Sequence, residues 1–451
     1  MRCVRACSSS INPHSRKVSR MTSATTSTLA ARVCSAETEF IPRRLATPLQ
    51  LSTGAIREIT EARVTVTVET TGGRLGVGQG SMYLSDLWAW PDPALSHEQR
   101  DVVLRRLCET AARELPRLAG NDRLHPLEFG LQLHQWACHD LDIAEDPPSL
   151  ARAMCISPFD AAVHDAVGAA VELSAFSFYD EPTPLPLVDS YFPHGGASSI
   201  ARLMQKPRRE LPAWWVVGKY DNLSDSLEPA IKKHGYRSLK LKITGSDPVA
   251  DVARTVEVFQ FAARLLDAPP TITVDSNEAN SDLSSVVEYL DRLEANDPAS
   301  FAALAYLEQP TGRDIIVDRF DWRSVTARKP ILLDEGLTDL EILPEAHAQG
   351  WSGLALKTCK GHSMLLAAAA WAHDHGMLLS LQDLTNPGVA LIHAAAVGAY
   401  LPTINGAELN SPQFTPDAND EFLPRLAELF IPRHGVHRLP AAWPAGLASC
   451  L

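Results

Sequence analysis

Between about residue 213 and residue 407 the chain repeats one unit, a short apolar run followed by an amphipathic stretch. The apolar runs fall at 214–219, 238–243, 271–274, 303–307, 330–333, 353–356, 377–381 and 403–407. Most are too short for helices and do not alternate with polar residues. That is the pattern of parallel strands buried on both faces. Helical periodicity fills the gaps, for example at 249–266 and 363–375. Parallel strands need such crossovers, and eight of them over this span is the count of a (β/α) barrel, with a doubly wound open sheet as the alternative.

The preceding region has a different texture. Residues 61–69 alternate and are rich in Val and Thr, Thr71-Gly72-Gly73-Arg74 reads as a turn, and 75–79 returns, so a hairpin is expected. Gly76 and Gly78 do not make a dinucleotide fingerprint, because no helical pattern follows them. Residues 97–118 read as an amphipathic helix, and 157–174 as another, with Ser157 as N-cap and Pro158 in the first turn. Strands then helices describe a separate α+β domain. Residues 1–37 stand apart: Arg2, Arg5, Arg16, Lys17, Arg20 and Arg32 precede the first acid, Glu37. This is either a transit-like segment, which would send the protein to an organelle matrix, or an over-extended start on a cytoplasmic protein.

The 54 acidic residues against 41 Lys and Arg give a net charge of −13, which disfavours nucleic acid and anionic membranes as partners. No apolar run is long enough to span a bilayer. The eight cysteines are scattered without a Cys-x-x-Cys pair, as expected of reduced thiols.

Chemistry collects at the strand ends. Lys240 and Lys242 sit one residue apart in Leu239-Lys240-Leu241-Lys242-Ile243 and so share a face. Two neighbouring ammoniums lower each other's pKa, and one would serve as a base near neutrality unless the strand is an edge with a solvated lysine face. The next strands end in Asp275-Ser276-Asn277, Glu308-Gln309-Pro310, Asp334-Glu335, Lys357-Thr358-Cys359-Lys360 and Gln382-Asp383. In a barrel these ends share one mouth. Asp275, Glu308 and Asp334 would meet there, and three close carboxylates do not all stay ionised without a cation. Oxygen ligands with open positions suit Mg²⁺, with Mn²⁺ as a substitute, better than zinc. A Schiff-base aldolase with Lys242 or Lys357 as nucleophile, and a non-catalytic binding protein, are the competing readings.

This ordered set resembles the enolase superfamily, in the muconate-lactonizing and dipeptide-epimerase branch of the mandelate racemase/muconate lactonizing enzyme family. Residues 64–79, Phe159-Asp160 through Gly168, and Gly435 through Pro440 extend the resemblance outside the barrel. It implies a modified TIM barrel, (β/α)7β, at 186–412, an N-terminal α+β capping domain at 38–185, and a C-terminal segment at 413–451 returning to the cap. It implies metal ligands at Asp275, Glu308 and Asp334 and acid/bases at Lys242 and Lys357 on opposite faces of a carboxylate substrate. Lys240 would contact the carboxylate, and Asn277, Glu335 and Asp383 would support ligands or touch substrate. Lys360, past its strand end, is expected in solvent. The implied reaction is α-proton abstraction to an enediolate, serving a racemase, epimerase or cycloisomerase, or else an acid-sugar or hydroxy-acid dehydratase, in a homo-oligomer. Strand seven, ending Gln382-Asp383, carries no His where a mandelate-racemase type would place a catalytic one, and strand eight shows no clear Asp-x-Asp of the dipeptide-epimerase kind, with Glu408 and Asn410 nearby instead. Cap segments 49–59 and 80–90, with Met82, Tyr83, Trp88 and Trp90, would cover the site.

Overall fold

The structure is a computed structural model that describes residues 28–451 apart from 52–53, 121 and 182. The basic segment at 1–27 lies outside the described residues. Residues 31–37, grouped with it by composition, instead begin a strand. The first sheet is antiparallel: β1 (Ala31–Leu51), β2 (Gly54–Thr70) and β3 (Leu75–Tyr83), in that order. Ala31 and Val33 alternate into the core, while Arg32 reaches across to Glu69, its register partner, with Nε 2.7 Å from Oε2. The hairpin expected at 61–79 is β2–β3. Residues 49–51 and 54–59, expected within a cap loop, are instead strand residues of β1 and β2, where Leu49 faces Ile56.

The helix Ser149–Val171 packs on this sheet. An added Cβ on Gly76, Gly78 or Gly80 would stand 2.1, 2.2 or 1.9 Å from the helix backbone at Ala166 O, Ala166 N or Pro158 O. The glycine run therefore serves close strand–helix contact. The helix also begins eight residues before the N-cap expected at Ser157, which sits inside it with Pro158. Pro158 lacks the N–H that would bond the Met154 carbonyl, and the Ser157 hydroxyl donates to that carbonyl instead, at 2.8 Å. The expected helix at 97–118 is present as His97–Leu118, capped by Ser96 and Gln99.

After β4 (Glu210–Pro212), seven parallel strands follow one another around the second sheet: β5 (Trp214–Val217), β6 (Ser238–Lys242), β7 (Thr271–Asp275), β8 (Leu304–Glu308), β9 (Ile331–Leu333), β10 (Gly353–Lys357) and β11 (Leu378–Gln382). The strand expected at 403–407 shrinks to Ala407, which bridges both Ala213 and Leu381 and so joins the two edges of the sheet. Beyond it the Gln413 amide completes the edge of β5, accepting from Val216 N at 3.0 Å and donating to Val216 O at 2.8 Å. The fold is a TIM-like barrel with an N-terminal antiparallel cap. β12 (Val436–Arg438) pairs with β4, and the chain end returns to the cap helix, where Asp165 accepts from Leu447 N. No helix among the described residues is long and apolar enough to cross a membrane.

Candidate active site

The register of the barrel sets the site. Lys242 pairs with Asp275 and Asp275 with Glu308 across β6, β7 and β8, while Asp334 follows β9 and Lys357 ends β10. All of these side chains are buried. The turns after the strands are tight: Asn277 and Gln309 hold left-handed φ of 45° and 32°. The Gln309 side chain accepts from the backbone N–H groups of Asp334 and Gly336, fixing the next strand end. Non-glycine residues in this region are strained, and such strain persists only where surrounding structure holds it.

The lysines stand between the carboxylates. Lys240 Nζ lies 2.8 Å from Glu308, 3.1 Å from Asp275 and 3.2 Å from Glu408, and donates to Gln382 Oε1 at 3.1 Å. Lys242 Nζ donates to Asp275 Oδ2 at 2.6 Å and Asn277 Oδ1 at 3.0 Å. Lys357 Nζ donates to Asp334 Oδ2 at 2.6 Å and stands 3.7 Å from Glu308. Lys360, expected in solvent, is buried and donates to both the carbonyl and the carboxylate of Asp334. The short turn Thr358–Lys360 after β10 folds it back into the mouth. Asn277 and the Trp88 indole both donate to Glu335 Oε1, at 3.1 and 3.0 Å. Asp383 accepts from the backbone of Thr385 and Asn410 and lines the mouth cavity.

Electrostatics follow from this packing. Burial opposes the charges of Asp275 and Asp334, but the adjacent lysines outweigh it and hold both carboxyls well below their usual range. Burial, then the charge of Asp275, pushes Glu308 well above it. Burial with Asp334 raises Glu335 to about 7, and burial with Glu408 raises Asp383 to about 8. The expectation that paired lysines depress each other does not hold at Lys240. Burial lowers its pKa, but Glu308, Glu408 and Asp275 raise it further, so it stays charged. Lys357 is held up in the same way, chiefly by Asp334.

Six carboxyls (Asp275, Glu308, Asp334, Glu335, Asp383 and Glu408) face four ammoniums, so full ionisation leaves two negative charges in excess. Asp275, Glu308 and Asp334 make a buried all-oxygen donor set, the chemistry a hard divalent cation takes. As arranged here no group of three acidic, histidine or cysteine side chains among the described residues encloses a single point, because lysines fill the gaps.

The cap closes the mouth. Leu45, Leu49, Ile56 and Ile59 of the β1–β2 hairpin and Trp88 cover a cavity of about 40 Å³ over Lys242 and Lys357. That is room for a few waters only. Met82 and Tyr83 pack in the core instead of lining the cavity. A larger cavity of about 630 Å³ lies outside β5 and shares Leu49, Val216 and Phe414 with the mouth, but none of the lysines or carboxylates named above lines it. The residues that sequence reading under-weighted are Gln382, Glu408 and Lys360. The run Gln382-Asp383 at a strand end was the available signal for the first.

The family described as enolase C-terminal domain-like matches residues 222–442. That match makes the barrel and the segment after it an enolase C-terminal domain-like unit. Among solved structures, the chain resembles muconate lactonizing enzyme from Pseudomonas fluorescens complexed with muconolactone, with a TM-score of 0.62, 18% identity, and 93% and 96% of the two chains covered. It resembles equally a dipeptide epimerase from Enterococcus faecalis complexed with Mg and the dipeptide L-Leu-L-Tyr (TM-score 0.62, 15% identity, 92% and 99% covered). A superfamily member from Roseovarius nubinhibens complexed with magnesium matches at a TM-score of 0.59 and 21% identity, with 93% and 95% covered. These likenesses establish the shared fold. No curated protein sequence matches the chain.

Proposed function

We propose that the protein is a Mg²⁺-dependent enzyme that removes the α-proton of a small carboxylic acid and acts as a racemase or epimerase, or as a cycloisomerase. The observation that carries this reading is the placement of two buried lysines on either side of three buried carboxylates. Lys242 bonds Asp275 at one end of the row, and Lys357 bonds Asp334 at the other. Asp275, Glu308 and Asp334 would hold the cation, which supplies the positive charge that offsets the second negative charge of an enediolate.

Lys242 takes or returns the α-proton on one face and Lys357 on the other. Asn277 orients Lys242, and Asp334 orients Lys357. Lys240 offers an ammonium to the substrate carboxylate, with Gln382 holding it in place. Leu49, Ile56, Ile59 and Trp88 exclude water during the reaction. Lysines on both faces favour 1,1-proton transfer, and the same parts would serve dehydration of a hydroxy acid with one lysine as proton donor to the leaving hydroxyl. The neighbours complexed with muconolactone and with a dipeptide make small carboxylates the substrate class to test first.

The test is deuterium exchange at the α-carbon, read by NMR in deuterated water with Mg²⁺, against libraries of 2-hydroxy acids, sugar acids, N-acyl amino acids and dipeptides. Metal-dependent exchange lost with EDTA and in Lys242→Ala is the expected result. Absence of both exchange and Mg²⁺ binding would reject the catalytic reading.

A further inference from the structure

Trp88 lies on the cap, 95% buried, with Lys357 Nζ 5.0 Å from its ring centroid. Its indole N–H donates to Glu335 Oε1 at 3.0 Å. Its backbone is held from the barrel side, since Arg313 Nη2 donates to the Trp88 carbonyl at 3.2 Å and Nη1 to the Ala89 carbonyl at 3.4 Å. Arg313 is itself fixed by a fork to Glu278, in which Nε lies 2.9 Å from one carboxylate oxygen, and its backbone N–H also donates to Glu278. Glu278 and Arg313 belong to the loops after β7 and β8. Two barrel loops thus grip the cap segment whose side chain covers the lysine at the end of β10.

We propose that Trp88 is a positioning residue for Lys357, set by the Arg313–Glu278 clamp, so that the cap orients the acid/base on one face of the site and leaves the other to Asp275 and Asn277. The inference rests on the proposed two-lysine function. A lysine ammonium has three N–H groups on a flexible stem. Asp334 takes one, and the π face of the indole attracts the charge from a second side. Glu308 stands 3.7 Å away on a further side, and Lys357 and Trp88 both line the mouth cavity. Lys242 is held differently: it donates to Asp275 at the end of β7 and to Asn277 in the turn after it. Removing the ring would free Lys357 without removing any partner of Lys242.

The experiment uses the full chain with Mg²⁺ and two readouts. The first needs no substrate: reductive methylation with ¹³C-formaldehyde and cyanoborohydride, followed at each lysine by peptide mass spectrometry. Trp88→Leu is expected to speed labelling of Lys357 at least fivefold, while Trp88→Phe, which keeps a ring, stays within twofold of wild type. The second is α-proton exchange with the L and D forms of the 2-hydroxy acid and N-acyl amino acid libraries run separately. Trp88→Leu is expected to slow exchange at least tenfold for the enantiomer whose exchange Lys357→Ala abolishes, and less than threefold for the other, with Trp88→Phe restoring most of the loss. Unchanged Lys357 labelling in Trp88→Leu overturns the proposal, as does equal slowing of both enantiomers or a Phe variant as impaired as Leu. If wild type exchanges neither enantiomer and binds no Mg²⁺, the functional reading fails, and the labelling result still decides whether Trp88 holds Lys357.

Discussion

Replacing Asp383 by Asn should make the protein's stability less dependent on pH. Asp383 is buried at the end of β11, and its two carboxylate oxygens accept from Thr385 N at 3.0 Å and Asn410 N at 2.8 Å. These bonds favour the ionised form, but burial and the nearby Glu408 outweigh them and set the pKa at about 8. An unfolded aspartate titrates near 3.9. Between those values the folded state binds a proton that the unfolded state has lost. The contribution is therefore fully present below about pH 4 and is lost as pH rises through 8. The slope is about 1.4 kcal/mol per pH unit, or about 4 kcal/mol between pH 5 and pH 8. Asn cannot ionise, and its NH2 cannot accept the second backbone N–H, so the variant starts with a fixed penalty of about 1–3 kcal/mol. The assay is urea unfolding of both proteins in EDTA at pH 5, 6, 7 and 8, read as the difference between them, which cancels titrations common to both. The penalty of the variant should shrink steadily with pH and reverse sign before pH 8. A difference that is flat across this range would show that Asp383 is ionised throughout, and the burial argument would be wrong.

Lys242→Ala should lower α-proton exchange by about 10²–10⁴ without altering the circular dichroism spectrum, and a loss below tenfold would remove Lys242 from the acid/base role. On the acid side, His393 and His437 are buried with pKa values of about 4, so each should cost about 2 kcal/mol of stability as pH falls from 6.5 to 5; urea midpoints of His393→Asn should fall less steeply than wild type, and parallel curves would refute the assignment. Gly80→Ala places a Cβ 1.9 Å from the Pro158 carbonyl and should destabilise by about 3 kcal/mol or more, read as a lower melting temperature, with an unchanged value contradicting the packing. Mg²⁺ at 100 times its Kd should stabilise the protein by about 2.7 kcal/mol, and Asp334→Asn should lose most of that shift in a thermal melt.

What the sequence by itself determined is the part governed by local periodicity and chain order. Short apolar runs spaced by helices specify a parallel barrel, and side-chain alternation puts Lys240 and Lys242 on one face. Because each strand follows its predecessor around the sheet, chain order alone brings Asp275, Glu308 and Asp334 to one mouth, where the structure has them. Only the tertiary structure decided which charge meets which. Lys240 reaches Glu408 from 168 positions away, Lys360 folds inward to Asp334, and Trp88 bonds Glu335 across 247 residues. No local pattern encodes such contacts, since they depend on how the cap docks on the barrel. The same holds for Ser157 and Pro158, which carry the signature of a helix start but lie mid-helix, where packing of Gly76, Gly78 and Gly80 against the helix backbone and one serine hydroxyl offset what proline removes. Local preference is worth about 1 kcal/mol at a cap, and burial of a whole helix face outweighs it.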